Sequence, residues 1–130
     1  MSRNISGCPL PKPITLTARL APFVGKIVTV VTPGLIRTTG VLSNNSASGF
    51  TVGALRVPFA TSFYILLPVR GRPLLPFNVN ARAEDLGEIG GQLVQVGRNF
   101  VELIQSRGSV STLFPLNLFT EVHCEPMGDE

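Results

Sequence analysis

Lys26–Thr32 reads KIVTVVT, six β-branched residues in a row after a lysine. Branching at Cβ restricts χ1 in a helix and suits the pleated surface of a strand, so this stretch predicts an extended chain. Pro33-Gly34 supplies a turn, and LIRTTGVLS (35–43) predicts the returning strand. Successive strand side chains alternate between faces. Val28 and Val30 therefore share one side of the first strand, and Ile27 and Val31 the other. One apolar face can line a core. The second needs cover from the rest of the chain or from another chain.

Charge sharpens that requirement. Charged residues make up 15% of the 130-residue chain, against about 25% in an ordinary soluble domain. The longest apolar runs, such as FYILLPV (63–69), are far shorter than the ~20 residues of a spanning helix. Partner subunits are the simplest place to hide the excess surface. Residues 1–83 hold nine basic residues and no acid, whereas residues 84–130 hold eight acids with only Arg98 and Arg107 as bases. The halves thus carry +9 and −6. Head-to-tail attraction between copies, nucleic-acid binding by the basic half, and plain loop decoration are all compatible with this split.

Residues 1–20 contain Pro9, Pro11 and Pro13 and predict an extended N-terminal arm, with ITLTARL (14–20) as a short strand. The arm either reaches a neighbour by strand addition or forms a tail without fixed structure. A first unit spans 21–68. In it Gly40 marks a bend, NNSAS (44–48) a turn, GFTVGA and LRVPF two short strands, and ATSFYILL a turn feeding a last strand. PVRGRPLLPFN reads as a linker, and ARAEDLGEIG (81–90) has the only helical composition, so 69–90 predicts a linker with a short helix. A second, partial unit spans 91–124, with strands QLVQV, FVELIQ and TLFPL, and an acidic tail follows over 125–130. GVLSNNSASGFTV (40–52) aligns with GQLVQVGRNFVEL (91–103), and VPFATSFYIL (57–66) with FPLNLFTEV (114–122), which suggests a repeat of about 45 residues.

VGKIVTV (24–30), the Gly40-Val41-Leu42 step and FVELIQSRGSVSTLFPLNLFTEV (100–122) resemble the Sm-like fold. Within it they are most similar to the tandem repeats of an outer spore-coat protein family and to a related small domain of unknown function in spore-forming bacteria. The resemblance implies an all-β chain of two small Sm-like (SH3-like) antiparallel β-barrel units in tandem, joined by the short helical segment. It further implies a structural protein that assembles with itself, and with other coat proteins, through barrel edges. RNA-binding Sm proteins follow the Gly-apolar-apolar step with an acidic residue and an asparagine. Here that place reads SNNSASGF, and the apolar-Arg-Gly step of a second Sm motif is matched only by VRG (69–71), between Pro68 and Pro73.

The chemistry-bearing residues are few. His123 and Cys124 are adjacent at a strand end, which puts them on opposite faces and argues against a nucleophile–base pair. Glu84, Asp85 and Glu88 predict a solvated acidic face rather than a metal site. No phosphate-cradling glycine motif and no zinc-ligand spacing is present, so neither catalysis, cofactor nor metal is expected. Cys8 on the arm is placed to cross-link to Cys124 of a neighbouring copy in an oxidising layer; in a reducing compartment both remain thiols. NISGC (4–8) has no apolar segment before it, which leads to an expectation of cytoplasmic synthesis without a signal peptide and of a final place in a spore-coat-like layer. The alternative is an Sm-like protein that binds RNA or single-stranded nucleic acid, with Arg37, Asn44, Asn45, Arg56, Arg70 and Arg72 as contacts.

Overall fold

A computed structural model describes residues 4–8, 10–71, 77–83, 87–105 and 110–126. The expected Pro73, Glu84, Asp85, Arg107 and tail residues 127–130 lie outside them, as does Arg72. Strand β1 covers Asn4–Ser6 and helix α1 covers Leu16–Leu20, followed by a 3-10 turn at Ala21–Phe23. Strands β2 (Ile27–Thr32), β3 (Ile36–Ser46), β4 (Gly49–Val52), β5 (Leu55–Pro58) and β6 (Tyr64–Leu66) come next. Strands β7 (Phe77–Ala83), β8 (Gly87–Val96), β9 (Phe100–Gln105) and β10 (Ser111–Pro115) follow. A second 3-10 turn, Leu116–Leu118, leads into β11 (Phe119–Pro126).

The fold is all-β, as expected. The strands form one open sheet in the order β1-β11-β7-β8-β9-β10-β6-β2-β3-β4-β5. All neighbours are antiparallel except β1, which runs parallel to β11. The order contains one pattern twice. Strands β2 to β6 lie in the sequence last, first, second, third, fourth, and strands β7 to β11 do the same.

The pattern follows from two glycines. β3 pairs with β2 through Ile36–Val41 and then with β4 from Leu42 onward, so it bends where its partner changes. Gly40 sits opposite Val28 at that bend, and a Cβ there would lie 2.7 Å from the Gly53 nitrogen. β8 repeats this geometry: Gly91 sits opposite Val79, and a Cβ would meet the Ile104 carbonyl oxygen and lie 2.9 Å from Gln105 Cα. Two residues further on, Leu42 and Leu93 are both fully buried, and a register shift follows each of them. The sharp bend and the bulge turn each long strand back over its own core.

Two apolar clusters result, and they interlock. The first gathers Leu16, Leu20, Phe23, Val28, Val30 and Phe50 with their neighbours, and takes Phe100 and Leu113 from the second set of strands. The other gathers Val79, Leu93, Leu103, Phe119 and Val122 with their neighbours, and takes Val31 and Tyr64 from the first set. The two faces of β2 thus have separate fates. Val28 and Val30 line the first cluster, Val31 is covered by the second, and Ile27 remains 61% exposed opposite the exposed Val41.

Three sequence expectations are corrected. Residues 81–83 and 87–90 belong to a β-hairpin and not to a helix, and its first strand begins at Phe77, inside the stretch read as linker. Alanine suits helices, but the burial here has period two: Val79, Ala81 and Ala83 are buried while Asn80 and Arg82 are exposed. ITLTARL is largely helical and not a strand. Leu16 and Leu20 are four apart and bury together, and the Thr15 hydroxyl accepts from the Ala18 N–H at the N-cap. The N-terminal arm is accordingly a short strand plus a docked helix rather than extended throughout.

Gly40→Ala and Gly91→Ala each push a methyl into backbone that cannot rotate away. Each is expected to cost about 1–3 kcal/mol, read as a lower urea midpoint with an unchanged slope.

Candidate functional site

The sheet is continuous because β6 pairs with β10. Thr112 lies opposite Leu66, and Leu113 opposite Ile65. The pairing runs on past β6: the Leu67 N–H donates to the Ser111 carbonyl (2.9 Å), and the Ser111 N–H donates to the Val69 carbonyl (2.8 Å). Here the fourth strand of one set meets the last strand of the other.

A buried ion pair pins this seam. Glu102 on β9 has no solvent exposure, and Arg19 of α1 reaches it with Nε to Oε1 at 2.7 Å and Nη2 to Oε2 at 2.9 Å. Gln95 Nε2 donates to Oε1 at 2.8 Å, and Ser111 completes the set. Burial pushes the carboxyl pKa up. The bonds from Arg19, Gln95 and Ser111, with the Arg19 charge, outweigh that and hold it below the usual carboxylate value. A carboxylate with all these donors is a structural clamp and not a poised acid or base. It fixes the first set's helix to the second set's sheet, aided by the Leu16 N–H on Asn99 Oδ1 (2.8 Å). Sequence reasoning passed over Glu102 for the 84–88 cluster. The available signal was one carboxylate inside the apolar strand FVELIQ.

The two ends of the sheet differ. At one end, β5 pairs with β4 alone among the described residues. Leu55 and Arg56 are exposed there. At the other end, β1 lies on the outer edge of β11. Cys8, just beyond β1, is disulfide-bonded to Cys124 of the same chain. The cross-link anticipated between neighbours is therefore closed within one molecule, because β1 brings Cys8 alongside its own β11.

Of the nucleic-acid candidates, the structure brings Arg56 and Asn44 together. Arg37 is exposed on β3. Arg56 donates through Nη1 to the Asn44 carbonyl (2.9 Å) and lies near the Ser46 and Ser48 hydroxyls. Asn44 has φ of 49° within the bulged part of β3. Asn45 Nδ2 donates to the Thr17 carbonyl (2.8 Å), and its Oδ1 is buried without a hydrogen-bond partner, so the side chain serves the docking of α1. Arg70 is exposed and lines a recess with Asn78, Asn80, Gln92, Gln105 and Glu125. Of the other candidates, Cys124 is buried in its disulfide, and the His123 Nε2 lies 3.1 Å from Glu125 Oε2. Glu88 stands on β8 beside Arg82 at 3.1 Å, exposed, and not on a helix. No helix is long and apolar enough to cross a membrane among the described residues.

No protein-family model, curated protein or solved structure matches this chain.

Glu102→Gln leaves Arg19 partly uncompensated in the seam and is expected to cost about 3 kcal/mol at neutral pH. A depressed carboxylate pKa adds stability that is complete above the unfolded value near 4.5 and is lost as pH falls through the lower folded value. The gap between wild type and variant should therefore be full at pH 7 and shrink in acid, measured by urea unfolding across pH.

Proposed function

We propose that this chain is a non-catalytic structural protein, built from two Sm-like units in tandem, that self-assembles into a coat-like layer or other higher-order oligomer. The observation that carries this reading is the β6–β10 seam. One chain already contains an edge-to-edge junction between two sets of strands with the same order, and the matching edge strand β5 is left without a second neighbour among the described residues. A bare strand edge is a template for another strand. Exposed Val24, Ile27, Leu35, Ile36 and Val41 add apolar surface on and around the β2–β3 hairpin. The +9 and −6 halves favour a head-to-tail arrangement of copies.

Sedimentation velocity and negative-stain electron microscopy test this. Ordered species larger than one chain are expected as concentration rises, under oxidising or reducing conditions. A chain that stays monomeric in both at its solubility limit removes the proposal.

Binding of RNA or single-stranded nucleic acid is the second reading. It is supported by exposed Arg37 and Arg70 in a segment with no acid before residue 84. On this reading, affinity for a mixed-sequence RNA falls steeply between low and moderate salt. No binding at low salt eliminates it.

A further inference from the structure

β1 occupies on β11 the position that β10 occupies on β6. In each five-strand set the last strand has the first strand on one side: β2 beside β6, and β7 beside β11. On its other side β6 takes the fourth strand of the neighbouring set, β10. On that same side β11 takes only β1. We infer that β1 is a removable cap over the β11 edge, latched by the Cys8–Cys124 disulfide, and that opening the latch hands this edge to β5 of a second copy of this chain. The inference deepens the assembly reading and, in its second step, rests on it.

Several features mark β1 as a cap rather than an integral strand. It is three residues long, with Asn4, Ile5 and Ser6 opposite Glu121, Val122 and His123. It is the sheet's parallel member, and parallel pairing is somewhat weaker per residue. The chain after it packs little beyond Cys8: Leu10 is 91% exposed, Pro11, Lys12 and Pro13 are exposed, and the next tie is the Lys12 N–H on the Val96 carbonyl (2.8 Å). Between β1 and that hydrogen bond, the covalent link two residues beyond Ser6 is the main hold. Gly7 makes the close approach possible, since it has φ of 74° and a Cβ there would run into the Cys124 carbonyl oxygen.

The proposed occupant fits in topology and in charge. β5 is the counterpart of β10, the strand that already pairs with β6. β5 carries exposed Arg56, and β11 carries exposed Glu121 and Glu125. Only one such addition per end is needed to make a chain of copies continue the sheet.

The chemical step is thiol–disulfide exchange with a dithiol. One thiolate of the dithiol attacks the Cys8 sulfur, which is half-buried, and expels the Cys124 thiolate. The second thiol of the reagent then closes on the mixed disulfide and releases the Cys8 thiolate. Two electrons pass from the reagent to the protein, two protons end on Cys8 and Cys124, and the reagent leaves as its own disulfide.

The test compares the full oxidised chain with the same chain in dithiothreitol, and with Cys8→Ser and Leu55→Glu. Hydrogen exchange of the β11 peptide reports the cap, and sedimentation velocity reports assembly. Reduction and Cys8→Ser should each convert monomer to larger species while β8 and β9 stay protected, and the rise in exchange within Val122–Glu125, about tenfold, is read in chains that cannot pair. Leu55→Glu, which sets a carboxylate on β5 against Glu121 and Glu125, should show that exchange rise on reduction and remain monomeric. If β11 stays as protected in reduced Leu55→Glu as in oxidised Leu55→Glu, the cap is not removable and the inference falls. Reduction that exposes β8 and β9 as well makes the disulfide a general structural tie, with the same consequence. Equal assembly of oxidised and reduced chains sinks the latch and leaves self-assembly standing. Exposure of β11 without any growth in size sinks edge pairing between copies and with it the second step.

Discussion

The molecule depends on a seam between two strand sets of the same internal order. Backbone hydrogen bonds between β6 and β10 align them, but two strands of three and five residues make a short ladder. The alignment is held by what surrounds it. Val31 and Tyr64 enter the second cluster, and Phe100 and Leu113 enter the first, so neither core is complete without the other. Arg19 on Glu102 then adds a charge pair with defined geometry. Separating the sets would break the Arg19–Glu102 pair and expose four apolar side chains at once. Both groups of contacts join the strand sets that the β6–β10 pairing links into one sheet.

Charge distribution acquires a different meaning in that light. The sequence splits into a basic part and an acidic part, yet the strongest opposite-sign contact joins Arg19 of the former to Glu102 of the latter within the chain. Part of the imbalance is therefore consumed in holding the halves together. Among the described residues, the remaining charge is exposed as Lys12, Lys26, Arg37, Arg56, Arg70, Arg82 and Arg98 and as Glu88, Glu121 and Glu125.

The all-β class was legible because it rests on local chemistry. KIVTVVT, the Pro-Gly turn and the Gly40 bend each point the same way, and the alignment of Gly40 with Gly91 located two positions where backbone passes close to backbone. Helix and strand were confused where composition and period disagreed. Alanine and acid around 81–90 read as helix, but the alternation of Val79, Ala81 and Ala83 against Asn80 and Arg82 decided for strand. Leu16 and Leu20 satisfy both periods, and the Thr15 cap with docking against Asn99 decided for helix. The seam itself was illegible. Arg19 and Glu102 are 83 residues apart, and nothing local says that they meet. The same holds for Cys8 and Cys124, whose pairing within the chain depends on where β1 lands.

Carrying two strand sets on one polypeptide has a stoichiometric consequence. The β6–β10 contact forms at an effective concentration set by the connecting segment and is indifferent to dilution. Any contact between β5 and β11 of separate copies would obey mass action. An array grown from such copies would alternate permanent and reversible joints, lengthen by two sets at a time, and close only into rings of even count.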